Sequence, residues 1–180
     1  MSFSTQKPRP AKRTNLRAFQ NELVSRMMAP ATVEGVMSQL GFSAGNERWL
    51  CHLNQTEEVL VSPPITPVPL TQPWFLGLTN VRGNLYSVID FSLFLGKAPV
   101  IHNTEARLVL LSRTTGAINA ALLVQQVYGL RSVKGFAPTG QSAQDKMWSI
   151  QNWMDAEGNA WHEVDLNKLA QDSEFQHIGR

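Results

Sequence analysis

Apolar and polar positions change rhythm once along this chain. Leu16, Phe19, Leu23 and Met27 recur at helical spacing behind Thr14, whose hydroxyl can cap a first turn, and Pro30 closes the segment, so a helix is expected there. From Gly41 onward the apolar runs shorten to strand length between turn signals, which is how an all-β barrel or sandwich reads. Residues 42–44 and 48–53 flank Gly45-Asn46, a pair that tolerates the positive φ of a primed hairpin turn. Further turns are expected at Arg82-Gly83-Asn84, Thr115-Gly116 and Glu157-Gly158-Asn159, separating the runs 85–89, 107–111, 118–124 and 161–164. Several antiparallel strands follow.

A faint internal echo organises these strands. Val88-Ile89-Asp90-Phe91-Ser92-Leu93-Phe94 resembles Glu163-Val164-Asp165-Leu166-Asn167-Lys168-Leu169, each reading as strand, capping aspartate and short helix. A carboxylate there accepts hydrogen bonds from the free N–H groups of the first helical turn, so Asp90 and Asp165 are expected to be N-caps and not catalytic acids. Two strand-rich halves are expected, about 41–100 and 105–172, within a domain spanning 36–173, preceded by a basic arm and helix (1–35) and followed by a tail (174–180). Residues 62–73 hold five of the ten prolines, and proline lacks the donor a central strand needs, so they are expected to form a stiff, extended surface loop.

Charge changes the picture only at the N-terminus. Sixteen Lys and Arg against fourteen Asp and Glu give a formal charge of +2, too balanced for a surface devoted to nucleic acid. Lys7, Arg9, Lys12, Arg13, Arg17 and Arg26 nevertheless face a single acid, Glu22, in the first 29 residues. Such an arm suits a solubilising tail, an acidic partner or an anionic surface. The sole cysteine, Cys51, allows no internal disulfide, and neither a signal-peptide core nor a long apolar run is present, so a cytoplasmic location without membrane insertion is expected.

Candidate chemistry is sparse. His52, His102, His162 and His177 share no metal spacing, His162-Glu163 lacks the second histidine of a zinc-protease helix, and Cys51 beside His52 points to the opposite face of a strand. No phosphate-binding glycine loop or nucleophile elbow occurs, so no catalytic residue, metal or cofactor is expected. Arg48, Arg82, Arg107, Arg113, Arg131 and Lys134 are not interleaved in sequence with aromatics as a nucleic-acid platform requires.

One stretch exceeds core building: Trp74-Phe75-Leu76-Gly77-Leu78-Thr79-Asn80-Val81-Arg82-Gly83-Asn84-Leu85-Tyr86-Ser87-Val88-Ile89-Asp90-Phe91. It resembles the signature of the CheW family of chemosensory coupling proteins, apolar-x-Gly-apolar-x-Asn-apolar-Arg-Gly followed by Pro-Val-apolar-Asp-Leu, with Ser87 at the usual proline. Glu57-Glu58-Val59-Leu60 upstream, and Leu108 to Leu111, Val127-Tyr128-Gly129-Leu130 and Val164-Asp165-Leu166 downstream, are similar to the family layout. The basic N-terminal helix makes the chain resemble the branch that serves type IV pilus (twitching) arrays.

The resemblance implies two small five-stranded SH3-like barrels and a non-catalytic adaptor. Such an adaptor bridges the cytoplasmic tip of methyl-accepting chemoreceptors and the regulatory domain of a CheA-type histidine kinase, within membrane-associated arrays. By position, Glu58, Gly77, Asn80, Val81, Arg82 and Gly83 are implied to lie at or beside the partner contacts. The residues leave a second role open for Arg82, whose guanidinium can instead pair internally with Glu58 or Asp90 and hold the turn. Two other readings are a nucleic-acid-binding β-barrel using the basic arm and an enzyme centred on Cys51.

Overall fold

The computed structural model of the chain describes residues 38–112, 119–140 and 146–180. The expected N-terminal arm and helix, and the Thr115-Gly116 turn, lie outside the described residues.

The chain opens with the expected hairpin. Strands β1 (Gln39–Ala44) and β2 (Glu47–His52) pair in register Ala44↔Glu47, and Gly45 and Asn46 carry φ of 60° and 62°, so both turn residues are left-handed as a twist-matched two-residue turn requires. A 3-10 turn leads to β3 (Thr56–Leu60), followed by β4 (Phe75–Val81), β5 (Asn84–Asp90), helix α1 (Phe91–Phe94), β6 (Arg107–Leu111) and β7 (Ala120–Val124). The remaining elements are β8 (Gln126–Arg131), β9 (Ala137–Gly140), β10 (Ser149–Met154), β11 (Ala160–Val164), α2 (Leu166–Gln171) and α3 (Ser173–Gln176).

These strands form a six-stranded sheet, β8-β1-β2-β11-β10-β9, and a five-stranded sheet, β3-β6-β7-β5-β4. Each sheet curls. Tyr128 of β8 and Phe136 before β9 both meet Trp161 of β11, with ring centroids 5.6 and 6.2 Å away, so the ends of the first sheet fold toward its middle. In the second sheet the edge strands β3 and β4 are bridged by Glu58–Arg82. The class is mostly β with short helices, as the turn spacing and the resemblance led one to expect.

The division into sequential halves is corrected. Strands β1 and β2 join β8 to β11, and β2 runs parallel to β11, while β5 runs parallel to β7 in the other sheet. A parallel pair cannot be joined by a tight hairpin, so the chain must leave each sheet and return. Hairpin signals report local pairing and are blind to these returns.

Two apolar clusters result. Tyr86, Val88, Leu108, Leu110, Ala121 and Leu123 fill the interior of the five-stranded barrel. The opposite face of those strands, through Ile89, Val109, Leu111 and Leu122, joins Leu40, Phe42, Trp49, Cys51, Phe91 and Phe94 in a larger core. Period-two alternation thus buries both faces of β5 to β7, one inside the barrel and one against the other sheet. Four of the five tryptophans, Trp49, Trp74, Trp148 and Trp161, are buried there or in the first sheet.

Asp90 and Asp165 terminate the strands ahead of the two principal helices. Asp90 Oδ1 accepts from Leu93 N–H at 3.0 Å and Oδ2 from Val100 N–H at 2.9 Å. Asp165 Oδ1 accepts from the N–H groups of Asn167 and Lys168, at 3.0 and 3.2 Å, and from Gln55 Nε2 at 2.9 Å. The reading of 174–180 as a tail is also corrected: Phe175 is buried, stacked on Trp74, and Gly179 bridges Thr71, with Gln72 N–H donating to Ile178 O at 2.8 Å.

Candidate functional site

The Asn80–Gly83 segment closes β4 onto β5. Arg82 and Gly83 have φ of 51° and 86°, so the turn is left-handed at both central residues, a conformation that glycine adopts freely and arginine does not. Asn80 holds it: its Oδ1 accepts from Gly83 N–H at 2.9 Å. Arg82 is pinned from the side by Nη2–Glu58 Oε1 at 2.7 Å, yet its side chain is 77% exposed against 31% for Glu58. Of the two internal partners open to Arg82, the structure pairs it with Glu58. Most of its five-donor fork faces outward.

Val81 is half-buried against the five-stranded barrel core, while Asn80 and Gly83 are exposed. Gly77, implied at or beside the contacts, is set back from the surface. It is buried at φ 133°, and the Thr66–Pro67 backbone lies so close that an added Cβ would sit 2.1 Å from Thr66 O. Thr66 and Leu78 exchange N–H···O bonds of 2.8 and 2.9 Å, and Thr79 Oγ1 donates to Pro64 O at 2.9 Å, so the proline segment lies along the edge of β4. Gly77 therefore serves close backbone packing.

Sequence reasoning passed over Leu85. It pairs with Asn80 across the hairpin and is 59% exposed. The signal was the alternation 85–88: Tyr86 and Val88 face the barrel interior, which puts Leu85 and Ser87 outside. Ser87 in turn borders a mostly apolar cleft of about 420 Å³ lined by Phe75, Ile89, Ala120, Phe175 and Ile178. Leu85 and Ser87 thus share the face of β5 opposite the barrel interior, and Ser87 carries that face to the cleft.

Among the described residues no group of three or more His, Cys, Asp or Glu is placed to hold a metal ion, and no helix is long and apolar enough to cross a membrane. Cys51 is buried, and desolvation pushes its thiol from 9.0 up to about 12. A raised folded value means that Cys51 favours the folded state fully below the unfolded value, and that this contribution is lost as pH climbs from 9 through 12. Ellman's reagent near neutral pH is accordingly expected to leave the native thiol unmodified and to react only as the chain unfolds; rapid stoichiometric reaction of the folded protein would refute this burial argument.

Residues 38–174 match the CheW-like domain. The chain is 30% identical over 104 residues to Protein PilI of Pseudomonas aeruginosa, covering 57% of each protein. It is 29% identical over 111 residues to the Chemotaxis protein CheW of Rhizobium meliloti (59% of this chain, 68% of that protein) and 33% identical over 76 residues to Protein FrzA of Myxococcus xanthus (42% and 46%). The matched region thus spans little more than half the length of PilI. The crystal structure of the scaffolding protein TtCheW from Thermoanaerobacter tengcongensis superposes with a TM-score of 0.63 at 18% identity, over 77% of this chain and 94% of that one, a likeness of fold.

Proposed function

We propose, from the premise that this chain belongs to the CheW-like domain family, that it is a non-catalytic adaptor of a chemosensory array. In this reading it couples methyl-accepting chemoreceptors to a CheA-type histidine kinase, in the cytoplasm at membrane-associated arrays, and serves type IV pilus twitching motility. The observation that carries the reading is the Arg82 turn: the guanidinium is positioned by Glu58 and still 77% exposed, so it is preorganised without being consumed internally. Glu58, Asn80, Val81, Arg82 and Gly83 form or support the contact, with Leu85 and the cleft beside Ser87 supplying apolar area and the charges setting register. Coupling works by linkage: a partner conformation that binds this face more tightly shifts the equilibrium of the other partner by the same free energy.

Retention of the chain by an immobilised receptor cytoplasmic fragment and by a kinase regulatory domain, at micromolar concentrations, tests the proposal; binding to neither overturns it. Arg82→Glu is expected to weaken partner binding at least about tenfold, about 1.4 kcal/mol. The ion pair is exposed, so its loss is expected to change unfolding free energy by no more than about 1 kcal/mol. A large drop in melting temperature with unchanged binding would make Arg82 a purely structural residue.

A further inference from the structure

The six-stranded sheet carries a second feature, away from the β4–β5 turn. Trp161 is buried near the middle of that sheet, and two guanidinium groups lie over its ring: Arg48 and Arg131 each have Cζ 5.8 Å from the centroid, and Arg48 Cζ lies 6.0 Å from the Tyr128 ring. The arrangement depends on Gly41. A Cβ there would stand 3.1 Å from both Arg131 Cγ and Trp161 Cζ3, so the missing side chain is what lets the arginine stem cross the sheet and reach the indole. Above them opens a cleft of about 370 Å³, walled by Tyr128, Leu130, Phe136 and Asn159.

The electrostatics of this cleft are unbalanced in one respect. Its acids are already engaged. Asp155 Oδ2 accepts from Trp161 Nε1 and from Asn159 Nδ2, each at 2.9 Å, and its Oδ1 accepts from the N–H groups of Glu157 and Asn159. The indole N–H, with Asn159 in support, holds the Asp155 carboxyl down at about 2, so it stays ionised and committed to the indole. Glu157 Oε2 accepts from Asn159 Nδ2 at 3.3 Å. The guanidinium groups of Arg48 and Arg131, by contrast, are held by ring contacts, with no side-chain hydrogen bond or ion pair among the described residues. Stacking on an aromatic face fixes a guanidinium and leaves its N–H edge open, the state in which it binds a carboxylate bidentately at least cost in side-chain entropy.

We propose that this cleft docks an acidic peptide segment of a protein partner, with carboxylate side chains taken by Arg48 and Arg131. Arg131 ends β8, an edge strand paired on one side only among the described strands, and the neighbouring Leu130 is 60% exposed. An extended peptide can lie along such an edge while alternate side chains enter the cleft. A second opening of about 510 Å³ shares Arg48 and Tyr128 and prolongs the groove past Gln126 and His162. A nucleic acid suits the site less, because Trp161 is too buried to stack a base. The site lies on the other sheet from Arg82, so it stands or falls separately from the adaptor reading.

The test is a titration of the 15N-labelled full chain, observing the Trp161 indole N–H and the Arg48 and Arg131 Nε–H signals. The probes are acetyl-Glu-Val-Glu-Val-Glu-amide, its glutamine counterpart, inorganic phosphate and an oligothymidylate. The glutamate peptide is expected to shift these signals saturably, at least about tenfold more tightly than the glutamine peptide, and more weakly as salt is raised. Arg48→Gln with Arg131→Gln is expected to abolish the response while the remaining amide spectrum stays in place. Should the double variant misfold, the glutamate-to-glutamine ratio and the salt dependence of the unmodified chain still decide. Equal response to both peptides, equal or tighter binding of phosphate or oligothymidylate, shifts confined to the Asn80–Gly83 face, or no saturation would each overturn the proposal.

Discussion

Gly77→Ala is expected to lower the unfolding free energy by more than about 3 kcal/mol, enough to remove most of the stability of a marginally stable domain. Two costs add. The backbone sits at φ 133°, outside the regions an L-residue occupies comfortably, and the new methyl would meet Thr66 O at 2.1 Å, Thr66 C at 2.7 Å and Pro67 Cα at 2.9 Å. All three are backbone atoms, and the loop that carries them is hydrogen-bonded to Leu78 in both directions, so it cannot yield without freeing the edge of β4. Gly83→Ala provides the control. It shares a positive φ of 86° but meets nothing within 4 Å, so it is expected to cost only the conformational strain, about 1 kcal/mol. Urea denaturation of both variants measures the difference, and equal losses would show that close packing at Gly77 is not the reason for glycine there.

Trp49→Ala is expected to cost about 3 to 5 kcal/mol. Trp49 is fully buried on β2, with ring centroids 5.3 Å from Phe91, 5.1 Å from His162 and 6.2 Å from Trp148, and its Nε1 donates to Ala44 O at 3.3 Å. Phe91 opens the helix that follows β5 of the five-stranded sheet, so this indole packs one sheet against an element continuous with the other. Removing it leaves a cavity that neither sheet can collapse into without losing contacts made elsewhere. Loss of near-ultraviolet circular dichroism in parallel with a lower urea midpoint is the expected signature. A change below about 1 kcal/mol would mean that the two sheets hold together through other contacts.

The local devices of the fold were legible in the chain. The alternation of Tyr86 and Val88, the Gly45-Asn46 and Arg82-Gly83 turns, and the aspartates ahead of residues 91 and 166 are signals carried by neighbours within a few positions, and local signals survive without tertiary context. The family signature around Asn80 to Gly83 was legible for the same reason. Gly77 was legible only as part of that signature; the reason for glycine there, the Thr66–Pro67 backbone crossing over it, belongs to packing.

What the sequence determined by itself was therefore the strand-and-turn grammar, the caps, and the motif that assigns the family. Only the tertiary structure decided which strands share a sheet, that Phe175 and Gly179 fasten the C-terminal segment, and that Arg48, Tyr128, Arg131 and Trp161 meet. The physical reason is range: turn and cap energies depend on adjacent backbone, whereas parallel pairing and aromatic–cation contact join residues tens of positions apart, whose proximity exists only once the chain has returned to each sheet.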